Sequence, residues 1–265
     1  MKTVLVISSF VAASHVGANT SAFCLRRLGH NVIILPTTLM GRHPGWGKPG
    51  GGAVDVQVLQ EMWTAIKAQP IQIDAVLSGY MGAQDHISLT EGIIKYVKSK
   101  NPEATILIDP VMGDDGQLYI PKARADAIKN RLAPMADILT PNMWELSYLS
   151  NLNDVTASVE KLGIDVLVTS LRRDKHIGAA LFGPTNNQIY HPHFEKVPHG
   201  GGDALAGLFL AQLLSGQDKI MAMQLAVSGV FAMMETAARE LHTELPLVET
   251  QDKWVDPELL DLERF

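Results

Sequence analysis

Cysteine, long apolar runs and an excess of positive charge are scarce or absent in this sequence, and each of these scarcities excludes a class of protein. Cys24 is the single cysteine among 265 residues, so no disulfide can form within the chain, and a reducing, cytoplasmic setting is expected. No stretch reaches the roughly 18 apolar residues that a membrane span needs. The formal net charge of −6 argues against nucleic acid and anionic membranes as partners. The opening MKTVLVISSF lacks a signal-peptide cleavage site and predicts a first strand.

What is present is a regular alternation of strand-like and helix-like segments. Val- and Ile-rich runs such as 3–9 and 105–109 are typical of parallel strands buried on both faces. Helical patterns such as 14–28 and 54–68 lie between them. The alternation predicts an α/β fold with a mostly parallel sheet between two layers of helices. Length and composition fit one domain over residues 1–265.

The later part of the chain departs from this alternation. Residues 178–182 and 188–190 predict an antiparallel pair of strands around a turn at 183–187. A long helix rich in Ala and Met is predicted over 218–242. The tail from 245 to 265 is more polar and carries only a weak pattern.

Polar side chains with chemical potential recur where the predicted strands end. They are Ser9, Tyr80, Asp109, Asn142, Thr169 and Ser170. In parallel α/β folds, ligands bind beyond the carboxyl ends of the strands. We therefore expect these residues to share one site.

Three successive glycines, Gly200, Gly201 and Gly202, precede Asp203 and a run of apolar helix formers that ends near Gly216. Glycines before a helix let backbone N–H groups converge on one point, and the helix dipole adds positive charge there. The stretch therefore predicts an anion site, most often for phosphate, with a carboxylate beside it. The alternative is an ordinary acidic helix cap, which does not need three glycines or a helix that is apolar on every face.

Carboxylates also occur in IDPVMGDDG, residues 108–116. Asp109 ends a buried strand, where an unpaired charge is costly, and could hold Mg²⁺ together with phosphate oxygens and water. Asp114 and Asp115 are better explained by a turn.

Asn142 and Glu145 stand three residues apart at a predicted helix start, so their side chains share one face. They could both point at a metal–phosphate unit, or they could form a capping box. The stretch by itself does not favour either interpretation.

The segment 41–52, GRHPGWGKPGGG, is named the flap here. It contains a literal G-x-G-x-x-G, but its prolines break the strand and helix that a dinucleotide fingerprint requires, and its spacing is not that of a Walker A loop. A mobile flap with His43 and Trp46 as contact groups is one interpretation. An exposed loop without function is the other.

Several residues are given structural interpretations. His191 and His193 lie two apart on a probable strand and are predicted to be surface residues, since a metal site would need more ligands. The methionines around Met233 predict core or subunit contact, and Cys24 is expected to be buried and inert.

Taken together, these motifs resemble the pyridoxal kinase family of the ribokinase superfamily. The GGGD at 200–203 resembles the superfamily's anion-hole motif, and NMWE at 142–145 resembles its N-x-x-E motif. LSGYMG at 77–82, IDPVMGD at 108–114 and ADILTPNMWEL at 136–146 are similar to pyridoxal kinase segments. The resemblance extends from about residue 4 to residue 216 and implies a ribokinase-like three-layer α/β/α fold.

The resemblance implies transfer of the ATP γ-phosphate to the 5′-hydroxymethyl group of pyridoxal, pyridoxine or pyridoxamine. Asp203 would accept the hydroxyl proton, and the amides of Gly200, Gly201 and Gly202 would stabilise the moving phosphoryl group. Asp109 and Glu145 would hold Mg²⁺, and the nucleotide side would comprise Asp109, Asn142, Glu145, Thr169, Ser170 and Gly202. The pyridine side would comprise Ser9, His43, Trp46, Tyr80 and Asp203. A homodimer and a monovalent cation are further implications.

The chain departs from the family pattern at the substrate side. Phe10 follows Ser9, the glycine–asparagine pair expected after His15 is displaced to Gly17 and Asn19, and Trp46 replaces a tyrosine. Two rivals therefore stay open. One is a hydroxymethylpyrimidine kinase, although that branch tends to carry cysteine at the position of Asp203, and the other is a vitamer-binding homologue with weak catalysis.

The helix start also suggests the ionisation of Asp203. An aspartate has a pKa of about 3.9, and a helix N-terminus is expected to lower it. Asp203 would then be ionised at pH 7 and a weak base, which phosphoryl transfer tolerates because it depends mainly on positioning and charge neutralisation.

Overall fold

A computed structural model describes residues 1–182 and 186–265. The strands are β1 (Thr3–Val11), β2 (Asn31–Met40), β3 (Gly51–Ala53), β4 (Ala75–Ser78), β5 (Thr105–Ile108), β6 (Gly113–Asp114), β7 (Gln117–Leu118), β8 (Ile138–Leu139), β9 (Asp165–Arg173), β10 (His176–Phe182), β11 (Asn187–Pro192) and β12 (Glu263–Arg264). The helices are α1 (Ala18–Arg27), α2 (Val56–Lys67), α3 (Gln84–Lys100), α4 (Lys122–Ala127), α5 (Met143–Ser150), α6 (Val155–Leu162), α7 (Gly201–Leu214), α8 (Lys219–Glu240) and α9 (Gln251–Val255).

Within the described residues, ten strands form one sheet in the order β12-β11-β10-β9-β8-β5-β4-β1-β2-β3. The strands from β2 to β9 in this order pair in parallel, and antiparallel pairs extend the sheet at both ends. The expected mostly parallel sheet is confirmed. The antiparallel β10–β11 pair is confirmed as well, while residues 183–185 of its predicted turn lie outside the described residues.

The side chains of β1 show how the sheet separates two cores. Leu5 and Ile7 pack into the layer that holds α2, α3 and α5, whereas Val4 and Val6 pack into the layer of α1, α7 and α8. Because neighbouring side chains of a strand point to opposite faces, an all-apolar strand needs helices on both sides. This produces the three-layer arrangement that the ribokinase resemblance implies.

Helix α7 lies at the centre of the second layer. Its residues from Ala204 to Ala211 are all buried, which explains why the sequence there is apolar on every face. Helix α8 packs beside it and is long and apolar enough, by length and composition, to cross a membrane. Half of its most apolar window is buried inside the fold, as in the core helix of a globular domain.

Two predicted helices have different bounds. Helix α1 begins at Ala18 and not at residue 14, because Gly17 takes a φ of 62° that a helix does not allow. The sequence of residues 122–132 has a helical pattern throughout, but α4 ends at Ala127, and the chain continues to Leu132 in a wider π-helical turn. The turn predicted at Asp114 and Asp115 is confirmed as the tip of the β6–β7 hairpin.

Candidate active site

The start of α7 is shaped by close backbone contacts. Gly200 has a φ of 104°, and a Cβ built on it would lie 2.1 Å from the His15 carbonyl oxygen. Only glycine fits there. A Cβ on Gly201 would meet the Met234 side chain, whereas a Cβ on Gly202 would meet no atom of the described residues within 4 Å. The backbone of the first helical turn therefore borders open space at Gly202, where a ligand can approach it.

Asp203 lies in this first turn and is half-buried. The backbone N–H of Gly17 lies close enough to its carboxylate to favour the ionised form. Burial nevertheless raises the pKa of Asp203 to about 6, and the Gly17 N–H opposes that rise. The expected lowering by the helix start is therefore wrong, because loss of hydration outweighs it. The carboxylate is still mostly ionised at pH 7, and it is a stronger base than the sequence suggested.

Gly17 also connects Asp203 to the end of β1. A Cβ on Gly17 would lie 2.4 Å from both the carbonyl oxygen and the hydroxyl of Ser9, so a side chain at this position would displace Ser9. Ser9 is buried and follows an irregularity in the β1–β2 register. The displaced glycine that departs from the family pattern thus joins two of the predicted site residues, Ser9 and Asp203.

Tyr80 follows β4, beside β1 in the sheet. Its backbone N–H donates to the Ser8 hydroxyl at 3.2 Å, and its carbonyl accepts a 2.6 Å bond from the Thr37 hydroxyl. These bonds fix the chain where β1, β2 and β4 end. Tyr80 and Ser9 therefore lie at neighbouring strand ends, as expected.

Asn142 and Glu145 form the capping box at the start of α5, with the Asn142 side chain accepting a 2.8 Å bond from the Glu145 N–H. They also hold the loop after β5. Glu145 accepts bonds from the N–H groups of Met112 and Gly113 at 2.7 and 3.4 Å, and the Asn142 amide donates to the Gly113 carbonyl at 2.8 Å. The structural interpretation of this pair is correct, and the cap at the same time fixes a loop at the site.

Asp109 enters that loop from β5. The N–H of Val111 donates to its carboxylate, and Val111 has a φ of 39°, a strained value for a β-branched residue. Burial raises the pKa of Asp109 well above its usual range, and repulsion from Glu145 and Asp203 raises it further. Glu145 and Asp203 are therefore close enough to Asp109 to disfavour its ionised form.

This concentration of negative charge fits a divalent cation. Burial also raises the pKa of Glu145 to about 7, although backbone N–H groups oppose the rise. Among the described residues, no group of three or more His, Cys, Asp or Glu side chains could hold a metal by itself. Mg²⁺ commonly takes only one or two carboxylates and completes its shell with phosphate oxygens and water. Asp109 and Glu145 match that requirement.

A cavity of about 230 Å³ opens beside the start of α7. Thr169, Ser170, Gly201 and Gly202 line one side of it. Ser170 has a φ of 59°, and the Thr169 N–H donates to the Pro141 carbonyl at 2.9 Å, next to Asn142. Thr169 and Ser170 therefore lie beside Asn142, but the prediction that they end a strand is wrong, because β9 continues to Arg173 past an irregularity in its pairing with β10.

The sequence did not reveal the other wall of this cavity. That wall contains apolar and aromatic residues together with two histidines: His191, His193, Phe194, Val227, Val230 and Met234. Of the two histidines predicted to be surface residues, His193 is exposed, as predicted, whereas His191 is half-buried, and Met234 lines the cavity as well. No local signal in the sequence marked this wall, because it forms only where α8 packs beside β11.

The C-terminal tail contributes a second group that the sequence did not reveal. Glu244 accepts hydrogen bonds from the Ser14 hydroxyl at 3.1 Å and the His15 N–H at 3.2 Å, and His15 Nδ1 lies 2.6 Å from the Leu245 carbonyl. The tail thereby fixes residues 14–17, which contact Gly200 and Asp203. Its weak sequence pattern gave no sign of this.

The flap lies next to the loop that leads into the start of α7. His43 precedes a single turn of 3-10 helix, Pro44–Trp46, and its ring lies 4.3 Å from the ring of His199. Trp46 is about half exposed, with a relative accessibility of 48%. The structure therefore brings His43 to the glycine-led helix start and leaves Trp46 open to solvent.

A family model and several known proteins are similar to this chain over most of its length. A family model described as phosphomethylpyrimidine kinase matches residues 50–247. The chain is 34% identical to pyridoxal kinase PdxY of Rubrobacter xylanophilus, covering 96% of this chain and 94% of that protein. It is 33% identical to pyridoxal kinase PdxY of Actinobacillus succinogenes, covering 97% of each.

Solved structures have the same fold. The pyridoxal kinase of Entamoeba histolytica superposes with a TM-score of 0.91 at 25% identity, over 100% of both chains. The pyridoxal kinase of Leishmania donovani in complex with ADP and pyridoxamine superposes with a TM-score of 0.90 at 23% identity, again over 100% of both.

Proposed function

This chain belongs to the pyridoxal kinase family of the ribokinase superfamily, and we propose that residues 200–203 form its phosphoryl-transfer centre. The protein is a kinase that uses ATP to phosphorylate pyridoxal-type vitamers. One observation carries the assignment of the centre. The carboxylate of Asp203 lies in the first turn of a helix whose glycine backbone is open on the ligand side.

Asp203 acts on the acceptor alcohol. Its carboxylate takes the proton of the 5′-hydroxymethyl group as the hydroxyl oxygen forms a bond to the γ-phosphorus. The bond between that phosphorus and the β,γ-bridging oxygen breaks, and its electron pair leaves with ADP. A pKa of about 6 leaves Asp203 ionised at pH 7 and close enough to neutrality to accept the proton.

The N–H groups of the first turn of α7 stabilise the charge on the moving phosphoryl group. They are fixed in advance, because Gly200 packs against His15 and α7 is buried behind them. Donors that need not reorganise during the reaction give the strongest stabilisation. Bound Mg²⁺, which Asp109 and Glu145 would hold, would neutralise charge on the phosphate oxygens.

The cavity beside Gly201 and Gly202 takes the nucleotide base. Its apolar and aromatic wall suits a flat heterocycle, and Thr169 and Ser170 lie between that wall and Asn142. The Leishmania donovani relative was solved with ADP, which supports a nucleotide site in this fold.

The pyridine ring occupies the other side of Asp203, bounded by Ser9, Tyr80 and the flap with His43 and Trp46. The link from Ser9 through Gly17 to Asp203 supports this placement. The proposal treats residues 1–265 as one domain. It also keeps the homodimer, the cytoplasmic location and the monovalent cation that the resemblance implies.

The Asp203→Asn variant tests the centre. Without a base and a carboxylate, kcat for pyridoxal phosphorylation should fall about 10²- to 10⁴-fold, measured as ADP and phosphorylated vitamer formed with saturating ATP and Mg²⁺. Pyridoxal binding should persist. The free energy of unfolding should not decrease at pH 8, since an amide is less costly to bury than a carboxylate.

Asp154→Asn is the matched control. Asp154 caps α6 by accepting a 2.8 Å bond from the Ala157 N–H, and asparagine caps equally well. This variant should retain wild-type rates. Wild-type protein that binds pyridoxal but never phosphorylates it would establish the binding-protein alternative, and a strong preference for hydroxymethylpyrimidine would establish the related kinase.

A further inference from the structure

His199 precedes Gly200, and nothing in the proposed chemistry requires it. Its ring packs against the flap residue His43, with the two ring centroids 4.3 Å apart and the ring planes inclined by 31°. Gly45 fits between the ring edges, since a Cβ there would lie 3.0 Å from His43 Nδ1 and 3.3 Å from His199 Nε2. The flap therefore touches the loop that leads into the anion site.

The other described contacts of the flap are hydrogen bonds within it. They make the flap rigid, so a single contact with another part of the chain can fix its position. The Gly45 N–H donates to His43 Nδ1 at 3.1 Å, and Arg42 Nε donates to the Lys48 carbonyl at 3.0 Å. At its base, the Gly41 N–H donates to the carbonyls of Pro49 and Gly50. Holding His43 in place therefore holds the tip of the flap in place.

The other partner of the ring pair is fixed as well. Gly200 is fitted against the His15 carbonyl, and the His15 N–H is bound by Glu244. His199 thus projects from a rigid part of the site. A ring on a rigid support can select one position of a less firmly held loop.

We propose that His199 is a positioning residue that holds the flap closed over the phosphoryl-transfer centre through its ring contact with His43. The proposal depends on the proposed function for its kinetic consequence, but not for its structural one. A closed flap excludes water from the reacting phosphate and bounds the vitamer site. Release of the flap should weaken vitamer binding and admit water as a competing phosphoryl acceptor.

The contact should depend on pH. Among the described residues, the titratable groups facing His43 are His199 and Glu244, and Arg42 neighbours it on the flap. In the present geometry His43 Nδ1 accepts a hydrogen bond from the Gly45 N–H, which requires this nitrogen to be unprotonated, so His43 is neutral. Protonation would remove that acceptor and place positive charge against the second imidazole. The flap should consequently open as the pH falls.

Three variants separate this role from a general structural one. His199→Ala removes the ring, and His199→Phe keeps a ring that cannot be protonated. Trp46→Phe identifies the optical signal, because Trp46 is the flap's own tryptophan. Acrylamide quenching of Trp46 fluorescence reports the flap without any turnover.

In His199→Ala, quenching of Trp46 should increase and KM for pyridoxal should rise about 2- to 10-fold, the range expected from loss of one aromatic pair. The change in kcat should be smaller, and ATP hydrolysed per vitamer phosphorylated should increase. His199→Phe should restore these values and extend flap closure to lower pH, since a protonated His43 is attracted to a phenyl face.

Unchanged quenching and unchanged KM in His199→Ala would overturn the proposal. Failure of His199→Phe to restore either would also overturn it, because the ring would then not be the cause. If the wild type phosphorylates no vitamer while His199→Ala still exposes Trp46, the flap contact stands and the proposed function fails.

Discussion

Two regions of this chain carry the same three letters and behave differently. Gly200, Gly201 and Gly202 begin the buried helix α7, whereas Gly50, Gly51 and Gly52 lead into the exposed edge strand β3. Gly201 and Gly202 of the first triplet line the cavity beside α7, whereas Gly51 and Gly52 of the second pair with β2. A run of glycine is therefore not an anion site by itself. Whether a glycine run can form an anion site depends on the segment that follows it and on the groups that pack behind it.

The two triplets nevertheless match in detail. Gly200 and Gly51 each have a positive φ, and in each a Cβ would lie 2.1 Å from a backbone carbonyl oxygen, that of His15 or Leu39. Gly202 and Gly52 each have no atom within 4 Å of a Cβ. The same substitution can therefore be compared at equivalent places in the two regions.

Gly202→Ala should have the largest effect on activity. The added methyl group occupies the space through which the phosphoryl group approaches, and a displacement of about 1 Å can cost roughly 100-fold in rate. Stability should rise slightly, because alanine is favoured over glycine in a helix by about 0.5–1 kcal/mol. Gly52→Ala should leave steady-state rates near wild type, and equal losses in both variants would end the distinction between the triplets.

Gly200→Ala should have the largest effect on stability. The methyl group meets the His15 carbonyl in a left-handed conformation, a strain of about 1–3 kcal/mol or more in the free energy of unfolding measured in urea. Gly51→Ala meets an equal clash, but β3 is exposed and can detach locally. A larger loss for Gly51→Ala than for Gly200→Ala would show that the flap, and not α7, limits stability.

The two triplets also differ in charge, since Asp203 follows one and Ala53 follows the other. Because burial raises the pKa of Asp203 to about 6 and the base must be ionised, kcat/KM should fall about tenfold per pH unit below pH 6. Activity is present above that pKa and is lost as the carboxylate is protonated. The profile should be corrected for ionisation of pyridoxal, and a limb near pH 4 would restore the expectation from the helix dipole alone.

The pattern of strand and helix was predictable because it depends on local side-chain chemistry. Runs of apolar residues at 3–9 and 105–109 predicted buried parallel strands, and the structure has β1 and β5 there. The start of α1 was not predictable to the residue, since the loop before it is held by Glu244 from the other end of the chain. Such a contact leaves no mark on the local pattern.

The features of the site also divide into those that could be predicted from the sequence and those that could not. That Asn142 and Glu145 cap a helix was one of two interpretations that their spacing left open, and nothing in the sequence indicated that Glu145 also binds the N–H groups of Met112 and Gly113. His191 was predicted to be a surface residue because a metal site would need more ligands than the sequence offered at a suitable spacing. Its position in the cavity wall depends on α8 packing beside β11.

The sequence by itself determined the alternating layers, the glycine-led start of α7 and the acidic residue that follows it, because helix and strand preferences and glycine's freedom are local properties. Only the tertiary structure decided the pKa of Asp203, the contact of the flap with His199 and the role of Gly17. Each of these depends on burial or on groups far apart in the chain, and electrostatic and packing energies follow distance in space and not distance in sequence.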